Sequence, residues 1–204
     1  MATAALFQGL VLGAGMIIPI GAQNSYVLNQ GIKRNYHFLT ATICMLCDVS
    51  LIGLGIFGGG QLIAANEGLM LAITLGGMLF LSIYGGIAFL SAWNNRYDRP
   101  GKVKNLGSRR AVIATTLAVT LLNPHVYLDT VMILGSVGGQ FEGHEKTAFA
   151  VGTMLASVLW FYSLAGCASK LAPWLGRPKV QRGIDITVGL IMYGIAYSLL
   201  LSLV

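Results

Sequence analysis

The stretch Ile18-Pro19-Ile20-Gly21-Ala22-Gln23-Asn24 interrupts an otherwise apolar run, and Asn123-Pro124-His125-Val126-Tyr127-Leu128-Asp129 interrupts another at a corresponding place. Laying Pro19 on Pro124 sets Asn24 opposite Asp129. The match returns later in each half, where Ile83-Tyr84-Gly85 resembles Met192-Tyr193-Gly194 and each is followed shortly by Ile-Ala. Pro19 precedes Tyr84 by 65 residues, and Pro124 precedes Tyr193 by 69. The chain therefore reads as an internal repeat, with a first unit over 1–110 and a second over 111–204.

Working outward, each unit holds three runs of the length that a helix needs to cross a bilayer core, about 20 apolar residues. The six runs are 4–28, 38–61, 69–93, 111–138, 147–170 and 184–204. Between Asn35 and Asn95 the only charged residues are Asp48 and Glu67, and between Ala111 and Phe141 the only one is Asp129. The expected fold is an all-α integral membrane protein. Three spans per unit force the second copy to enter the membrane upside down, which is the inverted-repeat plan of many secondary transporters.

The net charge of +6 does not point to nucleic acid, because the basic residues sit in short connectors and form no amphipathic face. Lys33 and Arg34 lie in the first connector, Arg96, Arg99, Lys102, Lys104, Arg109 and Arg110 in the third, and Lys170, Arg177, Lys179 and Arg182 around the fifth. The even connectors hold a single Lys146 beside Glu67, Glu142 and Glu145. By the positive-inside rule the odd connectors are cytoplasmic and both termini face outward. The first ten residues carry no Lys or Arg and lead to no cleavage site, so the first span is expected to stay. Tyr84, Trp93, Trp160 and Trp174 include candidate interfacial anchors, and the pairs Gly9/Gly13, Gly55/Gly59 and Gly135/Gly139 permit close helix contact, within one chain or across a homodimer seam.

A proline inside a helix removes one hydrogen bond and clashes with the preceding turn. The plainer reading of Pro19 and Pro124 is a simple kink. Because both are flanked by polar residues, we expect helix breaks at Pro19, Gly21 and Pro124, of the kind tolerated only beside a cavity or ligand. Asp48, about ten residues into its run, and Asp129, five past Pro124, then lie deep in the membrane. Even on the lenient insertion scale a charge there costs at least ~2.5 kcal/mol. No Lys or Arg lies within the first four runs to compensate. Each acid is therefore protonated, solvated in a wet cavity, or completed by a cationic ligand, and a proton-coupled transporter of a cation uses all three in turn. Substrate and proton then compete for the same oxygens. The plainer alternative makes the two acids structural acceptors at the breaks.

Gln23, Asn24 and Asn123 supply neutral donors and acceptors at the same level. They either satisfy the opened backbone or hold the amino and carboxylate groups of an amino acid, helped by half-helix ends. His125, four residues before Asp129, either relays protons or bonds structurally. Cys44 and Cys47 lack the further ligands a zinc site needs, so neither a metal nor another cofactor is expected.

The segment from Ile18 to Asn24 with Asn29-Gln30-Gly31-Ile32-Lys33-Arg34, and the segment Leu122-Asn123-Pro124-His125-Val126-Tyr127-Leu128-Asp129-Thr130, closely resemble the lysine/arginine exporter family. Cys47-Asp48, Gly138-Gly139-Gln140 and Leu171-Ala172-Pro173 extend the likeness through nearly the whole chain, and the short third connector is like that of the arginine exporter branch. The resemblance implies a multi-pass protein of the bacterial inner membrane that is not an enzyme. It implies efflux of arginine, lysine or analogues such as canavanine, driven by the proton motive force, with Asp48 and Asp129 important for transport. Ala22 departs from the second proline that family members commonly have there, which implies a milder break in the first span.

Three rivals remain. Export of neutral amino acids on the same fold is disfavoured by two buried acids without internal bases. An intramembrane aspartyl enzyme using Asp48 and Asp129 as a dyad lacks a catalytic context around either acid. Divalent-metal export would call for more carboxylate or thiolate ligands.

Overall fold

The computed structural model describes residues 1–58, 66–94, 107–201 and 203, and every described element is helical. Gly59 and the basic residues Arg96, Arg99, Lys102 and Lys104 lie outside the described residues. The first apolar run is two helices, α1 (Ala2–Ile17) and α2 (Ala22–Ile32), and the fourth is likewise α5 (Arg109–Leu121) and α6 (Pro124–Gly138). Between them stand α3 (His37–Ile56) and α4 (Glu67–Asn94); after them come α7 (Gly143–Lys170), the short α8 (Ala172–Leu175) and α9 (Pro178–Leu201).

Helices α3, α4, α7 and α9 are each long and apolar enough to cross a membrane, and each broken pair passes the same test when its halves are joined, giving up to six spans. The halves of the first pair meet at 80° and those of the second at 61°. The break at Pro19 is thus the sharper of the two. Two residues explain the difference. Gly21 is fully extended (φ −111°, ψ −168°), so the chain turns there before α2 starts, whereas in the second break Pro124 itself opens α6 at the first helical position.

Local chemistry sets most of the other ends. Ser108 caps α5 by accepting from the Ala111 amide, and Asn66 accepts from the Leu69 amide at the start of α4. Arg34 and Tyr36 both adopt left-handed backbone (φ 51° and 49°), turning the chain tightly from α2 into α3.

Packing follows the small residues. Along α1, Gly9 and Gly13 lie against Phe149 and Thr153 of α7, and Gly152 receives the Leu6 backbone in return; a Cβ on Gly13 would stand 2.9 Å from the Thr153 methyl. Gly55 of α3 and Gly135 of α6 face each other so closely that a Cβ on Gly135 would meet the Gly55 carbonyl at 2.8 Å. These described glycines thus bring helices of one chain together by backbone approach, as small-residue seams do in lipid. One core cluster joins Tyr26, Leu81, Val119 and Met192 from α2, α4, α5 and α9; another joins Ala5, Ile52, Leu134 and Phe149 from α1, α3, α6 and α7. Leu79, Leu90 and Leu190 point outward and are more than half exposed, as lipid-facing residues are.

Candidate functional site

A broken helix leaves carbonyls without their amide partners, and in a membrane these must be satisfied by the protein itself. Asn24 does this at the first break. Its Nδ2 donates to the carbonyls of Ile17 at 2.7 Å and Pro19 at 2.8 Å, and its Oδ1 accepts from Trp160 Nε1 of α7 at 3.1 Å. At the second break Asn123 Oδ1 accepts from the His125 amide at 3.2 Å, Tyr127 donates its hydroxyl to the Leu121 carbonyl at 2.9 Å, and Gly77 of α4 makes room for the Leu122 carbonyl. Both asparagines are therefore engaged by the opened backbone.

Gln23 points the other way. On the first turn of α2, it donates from Nε2 to Asp48 Oδ1 at 3.4 Å, while Ser157 of α7 donates from Oγ to Asp48 Oδ2 at 3.0 Å. Asp48 is 3% exposed and Ser157 is fully buried, so the carboxyl is held between two neutral donors from two helices. Among the described residues no basic side chain forms an ion pair with it. Cys44, one turn earlier on α3, is buried with its thiol 3.8 Å from the Thr120 hydroxyl.

Asp129 occupies different ground. It sits in a π-helical stretch, Leu128–Ile133, inside α6. Single π turns within α-helices widen the backbone and recur at functional sites. The half-buried carboxyl lines an open cavity of about 1000 Å³ between α1 and α6, with Pro19 at the first break, Gln8, Met16 and Leu12 along α1, and Val137 on α6. His125, one turn before it, is close enough to act on it electrostatically. The structure thus brings Gln23 to Asp48 and sets Pro19 beside Asp129, but Asp48, Gln23, Asn24 and Asn123 do not line the Asp129 cavity. Among the described residues no three His, Cys, Asp or Glu side chains are grouped to hold a metal ion.

Three residues escaped the sequence reading. Trp160 and Tyr84, taken as candidate interfacial anchors, both face inward: Trp160 bonds Asn24, and Tyr84 packs edge-on against Tyr26 with ring centroids 5.9 Å apart. Ser157 carried no signal of its own type. Its position did, since the 109 residues that separate Tyr84 from Tyr193 also separate Asp48 from Ser157.

Residues 14–203 match the family model described as LysE type translocator. The chain belongs to the LysE family. Its relatives include the arginine exporter protein ArgO of Pectobacterium carotovorum subsp. carotovorum (strain PC1), 50% identical over 196 residues that cover 96% of each chain. ArgO of Escherichia coli (strain K12) is 48% identical over 193 residues, covering 95% of this chain and 92% of that protein. No solved structure matches the LysE-family chain significantly. Membership in a translocator family, together with the apolar helices, makes this a multi-pass membrane transport protein.

Proposed function

We propose that the protein exports basic amino acids, arginine first and lysine or canavanine with it, from the bacterial cytoplasm in exchange for protons. The observation that carries this reading is the Asp129 cavity: one carboxylate set among mostly apolar side chains, beside a helix break, in a relative of proteins named arginine exporters. A guanidinium or ammonium matches the acid, and the aliphatic stem of arginine or lysine matches Leu12, Met16 and Val137. Asp48, dry and held by neutral donors, is the second charge-changing site and takes the proton. Coupling is needed on energetic grounds, because moving a cation outward against an inside-negative potential costs about 2.3 kcal/mol per charge for each 100 mV.

Two features support an inverted repeat over 1–110 and 111–204 as the machine that alternates access. Both breaks fall at equivalent prolines, and the matching Tyr-Gly motifs meet, with Gly85 packed against the Tyr193 ring. In this reading Asp48 and Ser157 are equivalent residues that touch across the pseudo-twofold axis.

The testing experiment is flux of labelled arginine, lysine, homoserine and leucine in proteoliposomes, with and without an imposed pH gradient. Gradient-dependent flux confined to the basic amino acids is expected, and Asp129→Asn is expected to abolish it while the folded protein remains in the membrane. Flux of leucine or homoserine would move the reading to neutral amino acids, for which the apolar cavity wall is also suited. Normal flux by Asp129→Asn would remove that carboxylate from the mechanism.

A further inference from the structure

A carboxyl that changes charge in a dry site needs neighbours able to bond to both of its forms. A carboxylate only accepts hydrogen bonds, whereas a carboxylic acid also donates one. Gln23 offers its amide NH₂, a donor only, to Oδ1 at the longer distance of 3.4 Å. Ser157 offers a hydroxyl to Oδ2 at 3.0 Å. A hydroxyl that donates to a carboxylate becomes an acceptor by turning about its own C–O bond, with no movement of the helix that carries it.

The surroundings leave little else for the task. Among the described residues the titratable groups that face Asp48 are Cys44 and Cys47 of its own helix. From α2 it meets Gln23 and from α7 Ser157, both neutral; α5 presents Thr120 to Cys44, and Tyr127 of α6 faces Cys47.

We infer that Ser157 is the positioning residue that lets Asp48 take up and release the coupling proton in place, the proton riding on Oδ2 while the serine hydroxyl reverses from donor to acceptor. This rests on the proton-coupled export reading. The step balances simply: a proton from water on one side converts the carboxylate to the acid, and the same proton leaves to water on the other side. Only hydrogen bonds at Ser157 change partner. Gln23 keeps its bond to Oδ1 in both states, so the start of α2 stays fixed while the charge changes.

The test uses the full chain in proteoliposomes as wild type, Ser157→Ala, Ser157→Cys and Asp48→Asn. Infrared difference spectra over a pH titration report the C=O stretch of the protonated carboxyl, and Asp48→Asn identifies the band. Losing a donor that strengthens on a charged acceptor should displace the Ser157→Ala midpoint by about one unit toward higher pH and change the band frequency. In the same liposomes Ser157→Ala is expected to keep arginine-for-arginine counterflow, which needs no net proton release, and to lose about tenfold in gradient-driven flux at the wild-type optimum. Ser157→Cys, similar in size with a weaker bond, gives the same displacement in smaller measure and decides the matter if the alanine variant does not fold. An unmoved band, or loss of counterflow together with gradient-driven flux, would overturn the assignment. Absence of arginine flux in the wild type would instead sink the export reading, and the infrared titration would still judge Ser157.

Discussion

Asn24 holds three hydrogen bonds at once, two to carbonyls freed by Pro19 and one from Trp160. Asn24→Leu keeps the volume and removes the donor, leaving two part-buried carbonyls without it, at a cost of about 1 kcal/mol each or more where water does not reach them. A clear fall in the thermal midpoint of the detergent-solubilised protein is expected, and an unchanged midpoint would mean that water serves the break equally well. Residue identity made Asp48 and Asp129 legible in the sequence, because an acid in an apolar run has few bland explanations. Trp160 was not legible, and Ser157 was so only through its 109-residue offset from Asp48. A serine or tryptophan in a membrane helix is ordinary, and the fold shows that one aims at a buried acid and the other at a helix break.

Helices rather than side chains decide how closely α1 approaches α7. Gly13→Leu places a Cβ 3.1 Å from the Thr153 backbone, with the rest of the side chain still to be housed. We expect it to destabilise the fold by about 1–3 kcal/mol, read as a lower thermal midpoint and lower yield. Gly166→Ala, on the same α7 with open space around it, serves as the control and is expected to be neutral or slightly stabilising. Hydropathy placed the four unbroken apolar helices, and proline placed the breaks in the two bent pairs that bring the count to as many as six. The angles of the breaks were hidden, since a proline marks where a helix stops and not the direction in which the next one leaves. The π-helical stretch at Asp129 was hidden too, because nothing in Leu128-Asp129-Thr130-Val131-Met132-Ile133 distinguishes a widened turn from an ordinary one.

At the scale of the whole chain, the gathering of basic residues in the odd connectors leads us to propose that these connectors are cytoplasmic. A single cysteine replacing His144, in the acidic first turn of α7, is expected to react with a membrane-impermeant maleimide in intact cells. One replacing Arg177, beside α8, is expected to react only after the membrane is opened. The reverse pattern would invert the assignment of the odd connectors. The matched prolines and Tyr-Gly motifs were legible in the sequence; which helices meet was not, because contacts between spans leave no trace in the order of residues.

The cleft between α1 and α6 also has a pharmacological consequence. Its lining is largely hydrocarbon and includes one acid, so a guanidine on a long alkyl tail would satisfy both. Such a molecule lacks the α-amino and α-carboxylate groups of the substrates proposed above. It would lodge without being carried, as a plug, and it would reach its seat from the lipid as readily as from water.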